Sequence, residues 1–332
     1  MLLHRLLKPR AQREQEARDA ALADPLIDRI VAATDRRLVN VKDLRRRLRA
    51  PVASAHERLA AMVALIPGPY EVGAAAWSRD FALRPLFARA ADAASVFNED
   101  AGVRAFFDAH PASDCLAMLG LLQSERRVLA TISQGGSLQA EAARTTMSFG
   151  EPRILAPAVD EASVRAELAT RCIEYLAMRA LEQVGTLRVQ RRESEKERAL
   201  LQAELRLAER RGAGLGAMGG SASARDKAAV ERDLARVVSE LSQGASGDLL
   251  PALVDALVEL LGHPDDHLAI EPGGLALDAM NFVVPPSPQA ITPCVATLRL
   301  AARGSFAVLV ARFPRAELQA PVDRLAEAAR YL

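Results

Sequence analysis

Long hydrophobic runs are missing from this chain. The longest apolar stretch, around Leu249 to Leu261, is interrupted by Asp255 and Glu259 and is too short to cross a bilayer, and the N-terminus lacks the apolar segment of a signal peptide. Cysteine is scarce: Cys115, Cys172 and Cys294 are an odd set, widely spaced and without a CxxC, so neither a disulfide framework nor a thiolate zinc site is written here. Charge of one sign is lacking as well. Forty-three Lys and Arg stand against 42 Asp and Glu, a net charge of +1 that argues against a protein whose task is to coat nucleic acid. The sequence carries no GxxxxGK[ST] phosphate loop and no evident Ser/His/Asp or Cys/His arrangement. Taken together these absences predict a soluble cytoplasmic protein, with no cofactor implied.

What the sequence does contain is an unusually long helical pattern. From Asp160, which can cap a helix, to Arg211 there is no proline and only Gly185 interrupts the interior. At about 1.5 Å per residue such a segment reaches roughly 75 Å, too long to lie on one small core. In its first half Val164, Leu168, Ile173, Leu176, Ala180 and Val184 recur at helical spacing and predict a docked face. From Arg191 to Arg198 the run is charged, with opposite signs three or four residues apart, and predicts a solvated rod. Leu201, Leu205 and Ala208 then restore an apolar side. A glycine-rich stretch, Gly212 to Ala224, precedes a second amphipathic helix containing Leu234, Val238 and Leu241. Two helices with narrow apolar seams around a glycine-rich tip predict an antiparallel helical hairpin or coiled coil. The tip spells GxGxxG at Gly214, Gly216 and Gly219, but a charged helix precedes it where a dinucleotide fingerprint requires a strand.

Before the arm, Asp24-Pro25 predicts a helix start, and a stripe from Ile27 to Leu48 predicts a helix that stops at Pro51. Its polar side holds Arg45, Arg46, Arg47 and Arg49, the strongest charge concentration in the chain. These four arginines are candidates for contact with an anion or nucleic acid, although aromatic side chains that could stack on bases are absent beside them. A second helix, Val52 to Ile66, follows, then short helices around Arg84 to Phe97, Ala101 to His110 and Ser113 to Leu122. From Arg127 the period becomes two, predicting a β-hairpin that turns at Gln134 to Ser137.

After the arm, an apolar helix from Asp248 to Leu261 leads into His263-Pro264-Asp265-Asp266-His267. His263, Asp265, Asp266 and His267 are the only place where metal-ligand types crowd together, but Pro264 prevents one helix from presenting both rings on one face. Short alternating segments, Leu268 to Ile270 with Leu275 to Asp278 and then Val295 to Leu300 with Phe306 to Phe313, predict a small antiparallel sheet. A final helix from Pro321 is expected to cover it.

The expected fold is therefore α+β and predominantly helical. Residues 1–157 form a helical module ending in a β-hairpin, 158–247 the long arm with its returning helix, and 248–332 a small antiparallel sheet covered by helices. The expected function is a non-catalytic scaffold or adaptor that binds a protein partner or pairs with a second copy through Leu201, Leu205, Ala208, Leu234, Val238 and Leu241. A metal-dependent enzyme using the histidine-aspartate cluster, or nucleic-acid binding through the basic helix, are the alternatives.

Overall fold

The computed structural model describes the backbone of residues 10–134, 137–211, 222–243 and 249–320, and the side chains over slightly shorter stretches of each. The expected helix from Pro321 and most of the glycine-rich tip lie outside the described residues. The fold is α+β and mostly helical, as expected. It divides into two compact units, each made of two segments distant in sequence: Met1–Val52 with Glu174–Gly262, and Ala53–Ile173 with His263–Leu332.

The sheet unit is built on six strands: β1 Tyr70–Glu71, β2 Asp114–Gln134, β3 Ser137–Ala158, β4 Leu268–Pro272, β5 Ala296–Leu300 and β6 Gly304–Pro314. Their order is β3-β2-β6-β5-β4, with β1 added in parallel to β6. All other pairings are antiparallel. The hairpin and the C-terminal strands, which the sequence places in separate modules, are thus one sheet joined along β2 and β6, from Asp114 opposite Pro314 to Gln123 opposite Ser305.

That pairing explains the first departure from expectation: where a helix is expected over Ser113 to Leu122, the chain is strand from Asp114 onward. Cys115, Ala117, Met118, Leu119 and Leu121 are all buried, so both faces of β2 are covered there and no period-two alternation survives in the sequence. A second departure concerns Leu268–Ile270, which pairs with β5 rather than with the segment after its turn. Leu277 instead makes isolated bridges to Val283 and Ile291.

One face of the sheet carries Leu119, Leu121, Ala307, Leu309, Ala311 and Phe313, which form a core with buried residues of three short helices, α3 Ala74–Arg79, α4 Ala90–Glu99 and α5 Ala101–Ala109. Two longer helices, α1 Arg10–Ala33 and α2 Leu44–Val63, precede them in the chain. Phe97 of α4 stacks on Phe313 at 4.8 Å between ring centroids, and Phe107 meets Phe313 at a tilt. The segment after β6 is stapled onto these helices by polar contacts. Buried Asn98 donates to the carbonyls of Ala94 and Glu317, and its oxygen accepts the N–H of Gln319 at 2.7 Å. Arg315 donates to the carbonyls of Phe107, His110 and Ala112 while its guanidinium lies over the Phe107 ring. Glu317 accepts the first N–H groups of α3, from Ala74 and Ala75.

The helical unit contains α1, the first part of α2, the distal part of α6 Glu161–Arg211, α7 Ala222–Gln243 and α8 Leu249–Gly262. Asp160 caps α6 as expected, accepting the N–H of Ser163 at 2.8 Å. Pro25 and Pro51, expected as start and stop, lie inside α1 and α2. The chain breaks between them, at a 3-10 turn Arg36–Asn40 capped by the Asp35 carboxylate. The stripe from Ile27 to Leu48 is therefore divided between elements: Ile27 and Ile30 are buried on α1, Leu38 in the turn, Leu44 and Leu48 on α2. Each such buried Leu or Ile stabilises by about 1.5–3 kcal/mol, which outweighs the local cost of the interior prolines.

Asn98 is a buried polar side chain whose three hydrogen bonds all go to backbone groups. Asn98→Ala leaves the Glu317 carbonyl and the Gln319 N–H without their partner and is expected to lower stability by about 1–3 kcal/mol in urea denaturation, with the far-ultraviolet spectrum unchanged.

Candidate functional site

The four arginines singled out in the sequence sit at the start of α2, where the turn of the chain brings them back against α1. All four have carboxylate partners. Arg49 makes a two-pronged contact to Asp24, at 2.9 and 2.8 Å, Arg45 reaches both Asp24 and Asp28, Arg46 pairs with Asp43 at 3.3 Å, and Arg47 pairs with Asp255 of α8. A phosphate there would compete with an existing carboxylate for each of these charges. Asp24 is the hub, and the hydrogen bonds from Arg49 hold its carboxyl below the usual aspartate value, with the charges of Arg49 and Arg45 adding to the effect against a smaller cost of burial. The basic helix is therefore an internal ion-pair network that ties α1, α2 and α8 together. Beside it, Ile27, Val31, Val39, Val41 and Leu44 line a cleft of about 360 Å³ whose rim is formed by the Asp28–Arg45 and Asp43–Arg46 pairs.

The histidine-aspartate cluster folds as a single 3-10 turn, Pro264–Asp266, between α8 and β4. Asp265 is engaged by Arg58 at 3.2 Å, and His263 is exposed while His267 is half-buried. Among the described residues no group of three or more His, Cys, Asp or Glu is arranged to hold a metal ion. The cysteines offer no nucleophile either. Burial pushes Cys115 and Cys172 up to about 12 and Cys294 up to about 11, so all three are protonated thiols at neutral pH.

The arm is the 51-residue helix expected. Its companion α7 touches it within the same chain, through Arg236 and Glu197 at 3.1 Å. Of the seam residues, Leu201, Leu205, Leu234 and Leu241 are half-buried, and the side chain of Ala208 lies outside the described residues. Val237 of α7 is fully buried, whereas its neighbour Val238, one of the expected seam residues, is 44% exposed. A second set of apolar residues on the arm points to solvent: Val189 at 55%, Leu200 at 61% and Leu207 at 53% exposure. At roughly 100° per residue, steps of eleven and seven return to within about 20° of the same direction, so these three form one line.

A polar cleft was not recognised in the sequence. At the end of the sheet beyond the short helices, the face that carries Leu121 and Ala307 continues with Gln123 on β2, Thr297 and Arg299 on β5, and Ser305 on β6. With Glu125 and the segment Glu271–Leu275 they line a cleft of about 510 Å³. Its floor is ladder-paired strand, and the Thr297 hydroxyl donates to the Gln123 amide oxygen at 3.4 Å. The signal was present as polar residues two apart, Gln123/Glu125 and Thr297/Arg299, but alternation of this kind also describes an ordinary solvated strand.

Among the described residues no helix is long and apolar enough to cross a membrane. No protein-family model, curated protein or solved structure matches the chain.

Asp24 gives a test of the ion-pair network. Its carboxyl is held below the ordinary value of 3.8 in the folded state, so its contribution is complete above about pH 4 and is lost as pH falls through the lowered folded value. Asp24→Asn should destabilise at neutral pH by no more than about 1–2 kcal/mol, because the site is partly open to solvent. Denaturant titrations at a series of pH values should show the gap between variant and wild type closing only below pH 4.

Proposed function

We propose that this protein is a non-catalytic scaffold that holds a protein partner, and first of all a second copy of itself, along its helical arm. The observation that carries the reading is the exposed line of Val189, Leu200 and Leu207 on a stretch of α6 otherwise too polar to need burial. A long solvated helix gains little by displaying large aliphatic side chains to water, and covering three that are about half exposed recovers on the order of 1 kcal/mol each. The flanks of the line differ in sign. Helical projection puts Arg192 and Arg206 on one side of it and Glu193 and Glu204 on the other. Two arms laid parallel bring the basic flank of one against the acidic flank of the other, whereas an antiparallel pair would set like charges together. The seam of Leu201, Leu205, Leu234 and Leu241 meanwhile serves the hairpin of each chain.

No specific observation favours the metal-enzyme or nucleic-acid alternatives, since Asp265 is engaged by Arg58 and the four arginines are engaged by carboxylates.

Light scattering and oxidative crosslinking test this reading. Wild type should form a dimer at micromolar concentration, and Leu200→Asp with Leu207→Asp should shift it to monomer with the helix content retained. Leu200→Cys should crosslink rapidly between chains, because a parallel pair places that position beside its own equivalent. A strictly monomeric wild type over this range, with no crosslink formed through the arm, would remove the support for self-association.

A further inference from the structure

We infer that the polar cleft at the open end of the sheet is a binding site for a small amine-bearing molecule, a function independent of the arm. Three observations lead there. The first is where the cleft lies. The same sheet face is apolar and helix-covered at Leu119, Leu121 and Ala307, then turns polar within two residues on each strand, at Gln123 and at Ser305. The ladder is continuous through this change, so the polar side chains stand on a floor fixed by strand pairing, which keeps the entropy cost of organising a site low.

The second is its size and rim. A volume of about 510 Å³ falls within the roughly 300–1,000 Å³ of small-molecule sites. The wall turns at Gly273, whose positive φ of 98° suits glycine, and a side chain placed there would meet no neighbouring atom within 4 Å. Beyond it Leu275 is exposed at the mouth, where it can cover a short hydrocarbon chain.

The third is charge. Glu271 is neutralised by Arg299 at 2.9 Å, while Glu125 forms no ion pair among the described residues. The cleft is therefore lined by one carboxylate without an ion pair, together with the Arg299–Glu271 pair, two hydroxyls and an amide oxygen. An ammonium group, with three donors and one positive charge, matches one carboxylate plus neutral acceptors. A divalent cation would require more anionic ligands than a single free carboxylate supplies, and an anion would meet Glu125. The neighbouring Gln123, Thr297 and Ser305 accept the remaining N–H groups, and the carbon chain of the amine runs toward Leu275.

Isothermal titration of the full chain at low salt with spermidine, with glucose and citrate as neutral and anionic comparators, tests the assignment. Spermidine should bind saturably at one site. Glu125→Gln, an exposed substitution that leaves the fold intact by circular dichroism, should weaken it by about tenfold or more, the scale of a lost charge-assisted hydrogen bond. Arg299→Gln frees Glu271 and should tighten binding, a gain that damage to the fold would not produce. Glu193→Gln, on the arm, should bind as wild type. The assignment is overturned if spermidine gives no saturable heat, if glucose or citrate saturates the site in its place, if Glu125→Gln binds like wild type, or if Arg299→Gln binds no tighter.

Discussion

The antiparallel pairing of β2 with β6 is the constraint on which the rest of this structure depends. It joins residues about two hundred positions apart, from Asp114 opposite Pro314 to Gln123 opposite Ser305, and in doing so closes the sheet around a chain that has left it to build the arm. Closing so long a loop costs entropy that grows only slowly with length, and ten consecutive paired positions, with Leu119, Leu121 and Ala307 to Ala311 buried at their centre, return far more than the added length removes. Once the two strands are in register, Phe313 is presented to Phe97 and Phe107, and the segment after it can be stapled by Arg315, Glu317 and Asn98.

The same register decides where chemistry can occur on the sheet. Along β2 and β6 the side chains of one face change from Leu121 and Ala307 to Gln123 and Ser305 in a single step. The short helices cover the apolar part, and the polar part remains open as a cleft. In the helical unit electrostatics plays a different role. Asp24 gathers Arg45 and Arg49 while Asp255 takes Arg47, so what reads as a basic patch is largely spent on joining helices, each exposed pair adding about 0–1 kcal/mol to an interior held by apolar burial. Charge on the arm is arranged otherwise, as pairs along one helix such as Arg191 with Glu195, which leave its aliphatic line exposed.

Much was legible in the sequence, and for a common reason: these features are local. Asp160 as a cap and fifty residues without proline specify the arm, since helix propensity and capping act within a few residues. The helix from Ala101, the apolar helix before His263 and the hairpin strands around Gln134 and Ser137 follow from periodicity alone. The α+β class follows from their sum.

Tertiary structure decided the remainder. The chain from Asp114 to Leu122 is strand because β6 and two largely covered faces await it, a fact no window of the sequence contains. Pro25 and Pro51 are tolerated inside helices because the buried stripes on either side hold those helices in place. Whether Arg45 to Arg49 are free cations or spent ones depends on carboxylates as distant as Asp255. The polar cleft exists only because four strands from opposite ends of the chain lie side by side. A sequence specifies which residues alternate on each strand, but only the pairing of the strands determines which of them share a face, and a site made of shared faces therefore becomes visible only in the fold.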